Sequence, residues 1–425
     1  MRRVGGFERR RFDQKRGLST TARRVTLTWG EGNDGQLGHY PFERRGVLKT
    51  YWELVPRELE GLGPLRAIAC GTNHTLAIDE AGEVWSWGKS DYGKCGHGGD
   101  GDVLKPKKIE ALSGIEFESV ACGEFHSAAV DVEGRLFTWG WGGTWLSGGG
   151  QLGHGDRESV DRPKIVASLD EGGYRVASVS CGEGHTLILT DDGEPLSCGA
   201  GEHGRNGNGS SRDVLAPEPI DFLDADTVTQ LEAGSAFSLA LTDTGLVYVW
   251  GRNDQGQLGL GAGLAMDVYS MEDTPRLVEL PEDGGGAPGQ ALEAVHVAAG
   301  HSHAAAVGRD GLLYFWGMKA HLEPFAVRFD AQDRSPSKVF AGGNYTFAKA
   351  DDGTFHSFGL GRTNCLGHGD RQGHAHPKHV HALDAFDVTR VSCGYRHIAL
   401  LATEKINVPP PPPKVPPPPP QHPPP

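Results

Sequence analysis

Apolar and polar residues alternate along short segments of this chain, and glycine-rich turns separate those segments. His74, Leu76 and Ile78 share one side of an extended strand, because side chains alternate with a period of two. The next residues end at Gly82, which supplies the positive φ that a tight turn needs. Residues 84–87 then return as a second strand, so the pattern predicts a β-hairpin.

The same hairpin pattern recurs along the chain, and a small residue followed by glycine marks each of seven units. Successive units are 42 to 66 residues apart, and no stretch sustains the 3.6-residue period of a helix. The small residues are Cys70, Cys122, Cys181, Ala233, Ala299, Ala341 and Cys393. Units of this length with short strands predict an all-β protein built from four-stranded antiparallel propeller blades.

A Trp-Gly step and a Gly-Gln-Leu-Gly turn follow the hairpin in several units, the turn in full at 35–38, 150–153 and 256–259. With these elements the chain resembles the regulator of chromosome condensation family. The resemblance implies a seven-bladed β-propeller whose ring is closed by an N-terminal strand in the last blade. Residues 25–29 supply the second half of a hairpin and residues 391–402 the first half, as such closure requires.

The chain divides into a propeller and two compositionally distinct ends. Residues 1–24 carry nine Lys/Arg and two acidic residues, residues 25–407 contain the repeats, and residues 408–425 are mostly proline. The Arg-rich head predicts mitochondrial targeting, with a nuclear-type basic segment or a passive tail in a nuclear or cytoplasmic protein as alternatives. The tail predicts polyproline II, either as a passive extension or as a ligand for a polyproline-binding domain.

Composition and charge limit the classes of molecule that we expect this chain to bind. The net charge is −14 although the head is basic, so the body is more acidic still, which disfavours direct binding of nucleic acid. No apolar run approaches the ~18 residues of a membrane span, and we expect a monomer. Four of the seven cysteines occupy the small-residue position of the repeat, where alanine replaces them elsewhere, so they read as small buried apolar residues.

Histidine follows the small residue by four positions in five units, a Cys-x-x-x-His spacing in some of them. Zinc sites converge four ligands, whereas these pairs are spread over the repeat and are replaced by Phe237 and Tyr345 in two units. We therefore interpret the histidines as buried groups bonded to neighbouring backbone. We predict no catalytic, cofactor-binding or metal-binding residues, and hence no enzyme of covalent or metal chemistry.

Two departures from the repeat supply candidate partner-binding residues. The loop between Gly140 and Gln151 is longer than its counterparts, and it offers Trp141, Trp145 and Leu146 as an apolar anchor. The alternative is that the two Trp side chains fold back over the blade. The acidic segment 261–290 either is a mobile insertion or meets a basic partner through its carboxylates, namely Asp267, Glu272 and Asp273.

These observations favour a non-catalytic interaction scaffold that binds a protein partner through a propeller face and its inserted loops. The family resemblance implies an alternative, a guanine-nucleotide exchange factor for a small Ran-like GTPase. Such a factor inserts a wedge into the nucleotide site and needs no nucleophile. The loop at 141–150 lies where a wedge could sit, but it carries Trp and Gly in place of polar groups.

Overall fold

The structure is a computed structural model that describes residues 22–39, 51–220, 227–261, 271–282, 289–329 and 334–405. Seven four-stranded antiparallel sheets follow one another in these residues. The Arg-rich head up to residue 21, the polyproline tail from residue 406 and Asp267 lie outside the described residues.

Each sheet is one blade, and its strands run from the centre of the ring outward. Blade 1 contains β3 (Leu65–Cys70), β4 (His74–Asp79), β5 (Val84–Gly88) and β6 (Val103–Lys108). Blade 2 contains β7 (Phe117–Cys122), β8 (His126–Asp131), β9 (Leu136–Gly140) and β12 (Val160–Ile165), and a small ribbon of β10 (Gly143–Thr144) and β11 (Gly148–Gly149) interrupts it. Blade 3 contains β13 (Val176–Cys181), β14 (His185–Thr190), β15 (Pro195–Gly199) and β16 (Val214–Pro219).

The second half of the ring repeats this arrangement. Blade 4 contains β17 (Val228–Ala233), β18 (Phe237–Thr242), β19 (Val247–Arg252) and β20 (Met271–Leu277). Blade 5 contains β21 (Ala294–Ala299), β22 (His303–Gly308), β23 (Leu313–Gly317) and β24 (His321–Val327). Blade 6 contains β25 (Pro336–Ala341), β26 (Tyr345–Ala350), β27 (Phe355–Gly359) and β28 (His374–His379).

Blade 7 closes the ring with both ends of the repeat region. Its sheet order is β2–β1–β30–β29, with β1 (Arg24–Glu31) and β2 (Trp52–Glu58) from the N-terminal side and β29 (Phe386–Cys393) and β30 (His397–Glu404) from the C-terminal side. β1 pairs antiparallel with β30 from Arg24 opposite Thr403 to Gly30 opposite His397. The predicted all-β, seven-bladed fold and its closure by an N-terminal strand are confirmed.

Helical structure in the described residues is confined to short connections. One α-helix, α1, spans Ala167–Gly172, and short 3-10 turns occur in several loops, at Asp91–Gly93, Glu110–Leu112, Glu202–Gly204, Gly361–Thr363 and His381–Leu383. Seven apolar clusters of buried residues form the core, and each lies between two neighbouring blades. The stability of the ring therefore depends on how each blade packs on the next.

The histidines of the repeat connect neighbouring blades. Each of five buried imidazoles shares a hydrogen bond of 2.8 to 3.0 Å with a hydroxyl of the next blade, in the pairs His74–Ser127, His126–Thr186, His185–Ser238, His303–Thr346 and His397–Thr75. The prediction that these histidines bond backbone is therefore wrong. Alternation along a strand fixes the side on which a residue lies, but it does not show which side chain of the neighbouring blade faces it.

Four of the five hydroxyls donate to a carbonyl in the Gly-Gln-Leu-Gly turn, or in a variant of it, of the preceding blade. Ser127 donates its own proton to the carbonyl of Lys94 at 2.7 Å, and the indole of Trp139 donates to the same oxygen at 2.9 Å. Thr75 and Trp87 share the carbonyl of Gln36 in the same way. Because each of these hydroxyls donates its only hydrogen to a carbonyl, it must accept the hydrogen bond that it shares with histidine, and the donor is the histidine Nε2–H.

Candidate functional site

The two ends of the ring differ in the connections that they carry. The first and third strands of every blade end on one side, because neighbouring strands are antiparallel. That side carries the loops between strands 1 and 2 and between strands 3 and 4, and we call it the loop face. The opposite side, the turn face, carries the hairpin turns and the connections between blades.

A hydrogen-bonded ribbon projects from the loop face of blade 2. Gly143 pairs with Gly149 and Thr144 with Gly148, and the Thr144 and Ser147 hydroxyls lie 2.6 Å apart across the turn. Trp145 and Leu146 at its tip are 81% and 78% exposed, so they do not fold back over the blade. Large apolar side chains on a fixed, exposed element are typical of protein interfaces.

Close backbone approach at the base of the ribbon accounts for its glycines. Gly143 has a φ of 99°, in the left-handed region, and a Cβ at this position would collide with Gly149. Asp213 of blade 3 anchors the base: its Oδ2 accepts a 3.1 Å bond from the Gly149 N–H and a 2.8 Å bond from the Arg157 guanidinium. The ribbon is therefore held by two blades.

Trp141 lies at the base of the ribbon, partly buried against two other aromatic rings. Its indole is 5.4 Å from the Phe125 ring and 5.8 Å from the Tyr92 ring, measured between centroids, and Tyr92 is itself 48% exposed. Lys94 places its ammonium 5.6 Å from the centre of the Phe125 ring. Sequence reasoning missed Tyr92 and Phe125, because they belong to other loops that only the fold brings together.

The acidic candidates are placed differently. Glu272 and Asp273 belong to β20, the outer strand of blade 4, which pairs with β19, so the prediction of a loop through 261–290 is wrong at these residues. Glu272 is bound to Arg276 at 3.3 Å and its side chain is 15% exposed. Pro275 provided the sequence signal, since proline is tolerated in an edge strand. Neither residue belongs to the blade 2 ribbon.

Polar side chains surround the mouth of the central channel on the loop face. The Ser235 hydroxyl donates to the Glu183 carboxylate at 2.6 Å, and the rings of His301 and Tyr395 lie 4.8 Å apart. Burial, together with the charge of Glu183, raises the pKa of Glu124 to about 6. The loop face thus combines an acidic centre with an aromatic patch toward blade 2.

Deeper in the channel, the small residues of the repeat line the inner strands. Cys70 is buried, whereas Cys122, Cys181 and Cys393 are partly exposed toward the channel. Burial raises the pKa of each of these thiols, which favours the neutral form. The prediction that these small residues are buried is therefore confirmed for Cys70 and wrong for the other three, which line the channel.

A family model for the RCC1-like domain matches residues 17–228 and 144–407. The chain belongs to the RCC1-like domain family. Among RCC1-like proteins, it is 34% identical over 400 residues to the human E3 ubiquitin-protein ligase HERC2, covering 91% of this chain and 7% of that protein. It is 30% identical over 375 residues to the Arabidopsis thaliana ultraviolet-B receptor UVR8, covering 84% of this chain and 78% of the receptor.

The solved structure of Prp20p from Saccharomyces cerevisiae, described with its binding to Gsp1p and histones, has the same RCC1-like fold. It superimposes with a TM-score of 0.73 at 22% identity and covers 91% of this chain and 93% of Prp20p. Identity at this level shows the fold alone. Within the described residues, no helix is both long enough and apolar enough to cross a membrane.

Proposed function

We propose that this RCC1-like propeller is a non-catalytic interaction scaffold that binds a protein partner through the loop face of blade 2. The exposure of Trp145 and Leu146 on an anchored ribbon carries the proposal. A ribbon that is already fixed loses little conformational entropy when a partner covers it. Trp is also among the residues that most often dominate binding energy.

The aromatic rings of Tyr92, Phe125 and Trp141 extend this surface from the ribbon toward blade 1. The Tyr92 ring packs against the rings of Trp141 and Phe125, with centroids 5.8 Å and 6.0 Å away. Tyr92 and the exposed part of Trp141 add apolar surface at the base of the ribbon whose tip carries Trp145 and Leu146. A partner with a complementary apolar pocket fits this chemistry.

Proximity labelling in cells tests the proposal. The variant carrying Trp145→Ala and Leu146→Ala should lose partners that the wild-type chain labels, while its melting temperature stays within about 2 °C, because both side chains are exposed. The matched control is Leu312→Ala, because Leu312 lies on the turn face and is 46% exposed. This variant should still label the partners that the wild-type chain labels. Identical labelling by all three proteins would overturn the proposed binding surface.

A direct measurement then separates scaffold from exchange factor. With the purified partner, the double variant should bind about 30-fold more weakly, equivalent to about 2 kcal/mol for a dominant aromatic anchor. The wild-type chain should leave the release of a fluorescent guanine nucleotide from Ran-like GTPases unchanged. Clear stimulation of release would overturn the non-catalytic part of the proposal and favour the exchange-factor alternative.

A further inference from the structure

Two imidazoles and a carboxylate converge on the turn face of blade 6. His379 ends β28, His381 opens the 3-10 turn that follows, and Asp384 comes directly after that turn. Their ligand atoms all lie within 4.8 Å of one another. The sequence signal is the density of histidine here, with five histidines between positions 368 and 381.

We propose that His379, His381 and Asp384 form a Zn²⁺ site with three protein ligands. His379 Nε2 lies 2.7 Å from one oxygen of Asp384, and His381 Nδ1 lies 3.3 Å from the other. Ligands bound to zinc at about 2.0–2.1 Å in a tetrahedron are roughly 3.3 Å apart, so modest side-chain rotation brings all three onto one ion.

The donor set selects the class of metal. Imidazole nitrogen suits zinc and neighbouring transition metals, whereas calcium and magnesium require oxygen ligands. Two of the three donors here are imidazoles. His381 is 80% exposed and Asp384 47% exposed, so the fourth coordination position opens to solvent or to a donor from another molecule.

Neighbouring groups leave the donor atoms available to a metal. Lys405 donates to the backbone carbonyl of Asp384 at 3.0 Å, and the carboxylate oxygens face the two imidazoles. The ring of His356 stacks on His379 with centroids 5.2 Å apart and an interplanar angle of 26°, which fixes the plane of that ligand. An oriented imidazole loses less freedom when it binds an ion.

The repeat itself shows that the three side chains are not needed for the turn. In blade 1 the same 3-10 turn at Glu110–Leu112 follows β6, and both turns begin with a backbone bond to the preceding hairpin, from Ile109 to Val84 at 2.9 Å and from Val380 to Phe355 at 2.8 Å. The residues of blade 1 that correspond to the three donors are Lys108, Glu110 and Ser113. The turn therefore forms without these three side chains, which indicates that they serve a purpose other than folding of the turn.

Titration of the metal-free, full-length chain with Zn²⁺ alone tests the site. Calorimetry at pH 7.5 should show one equivalent bound with micromolar affinity, which His381→Ala and Asp384→Asn each weaken at least tenfold. His376→Ala removes an exposed histidine of the same strand and should bind like the wild type. Affinity should fall at lower pH, because the imidazole nitrogens must be deprotonated to bind.

Stability measurements separate loss of the site from loss of the fold. Without zinc, His381→Ala should melt at the wild-type temperature; with saturating zinc, only the wild type and His376→Ala should show a raised melting temperature. Residual binding by His381→Ala measures the contribution of thiols and other histidines. Wild-type affinity in His381→Ala, or loss of binding in His376→Ala, would overturn the proposed ligand set.

Discussion

Removing one buried hydroxyl between blades should destabilise the ring more than removing the histidine that it faces. Ser127 makes two hydrogen bonds: its oxygen lies 2.9 Å from His74 Nε2 and it donates to the carbonyl of Lys94. His74 is fully buried, and its Nδ1 has no hydrogen-bond partner among the described residues. Ser127→Ala therefore leaves this imidazole with no partner for its Nε2–H.

The loss of stability in Ser127→Ala can be estimated from the free energy of a buried donor that lacks a hydrogen-bond partner. Leaving the His74 N–H unpaired costs about 1–3 kcal/mol, and the lost bond to the Lys94 carbonyl adds about 1 kcal/mol, so we expect about 2–4 kcal/mol for Ser127→Ala. His74→Phe removes the donor, and Ser127 keeps its bond to the carbonyl. This change should cost about 1 kcal/mol or less, because an apolar ring replaces the imidazole.

The chain contains a precedent for the double variant. At the junction of blades 4 and 5, Phe237 takes the histidine position and Ala304 takes the hydroxyl position, and both are buried in one apolar cluster. His74→Phe combined with Ser127→Ala reproduces this pair. It should therefore be more stable than Ser127→Ala alone by about 1–2 kcal/mol, a coupling typical of residues in contact.

Urea denaturation followed by tryptophan fluorescence gives the free energies of unfolding of the wild type, the two single variants and the double variant. The m-values should agree, so that the differences report stability. Equal destabilisation of Ser127→Ala and the double variant would refute the reasoning. So would a larger loss for His74→Phe than for Ser127→Ala, since the histidine would then contribute through packing.

Three further predictions concern pH, the ribbon and the head. Burial lowers the pKa of His126 to about 4, and it lowers the pKa of the other four inter-blade histidines as well. The unfolded chain therefore binds more protons below pH ~6.5, so stability should fall as the pH drops from about 6.5 toward 4. Burial raises the pKa of Glu232 to about 7, so protonation of this carboxyl favours the folded state as the pH falls and offsets part of the loss. A urea midpoint that does not fall from pH 7 to 5 would contradict the prediction. Asp213→Ala should increase amide hydrogen exchange at 143–149 at least tenfold, since it removes the anchor of the Gly149 N–H, and unchanged exchange would show that Asp213 is dispensable. Residues 1–30 fused to a fluorescent protein should direct it to mitochondria, and a diffuse or nuclear signal would contradict the targeting prediction.

The blades were predictable from sequence because every strand, turn and Trp-Gly step recurs with its own local pattern. The link between blades was only partly predictable. His74 and Ser127 are 53 residues apart, and nothing in either strand shows that they meet. A pairwise comparison of units does give a clue, since Phe237 is matched by Ala304 where five other units combine histidine with Ser or Thr.

The candidate site was predictable in part for the same reason. An insertion is visible in the sequence, and the structure places its Trp145 in solvent, but the aromatic neighbours come from distant positions such as Tyr92 and Phe125. Glu272 and Asp273 show the opposite error. Glycine and acidic residues around them suggested a loop, whereas pairing with β19 makes them part of a strand.

In a repeat protein, equivalent positions of different units can be compared, and the comparison separates residues that stabilise the fold from residues with other roles. The buried Trp-Gly steps and the inter-blade histidines each recur in five of the seven units and are buried where two blades meet, so their substitution should reduce stability first. Trp145 lies in an insertion of blade 2, and the 3-10 turn of blade 1 forms with Glu110 at the position of His381. Substitution of Trp145 or His381 should therefore change binding of a partner or of zinc while the ring stays folded. The opposite result at either residue would place it among the structural residues of the ring.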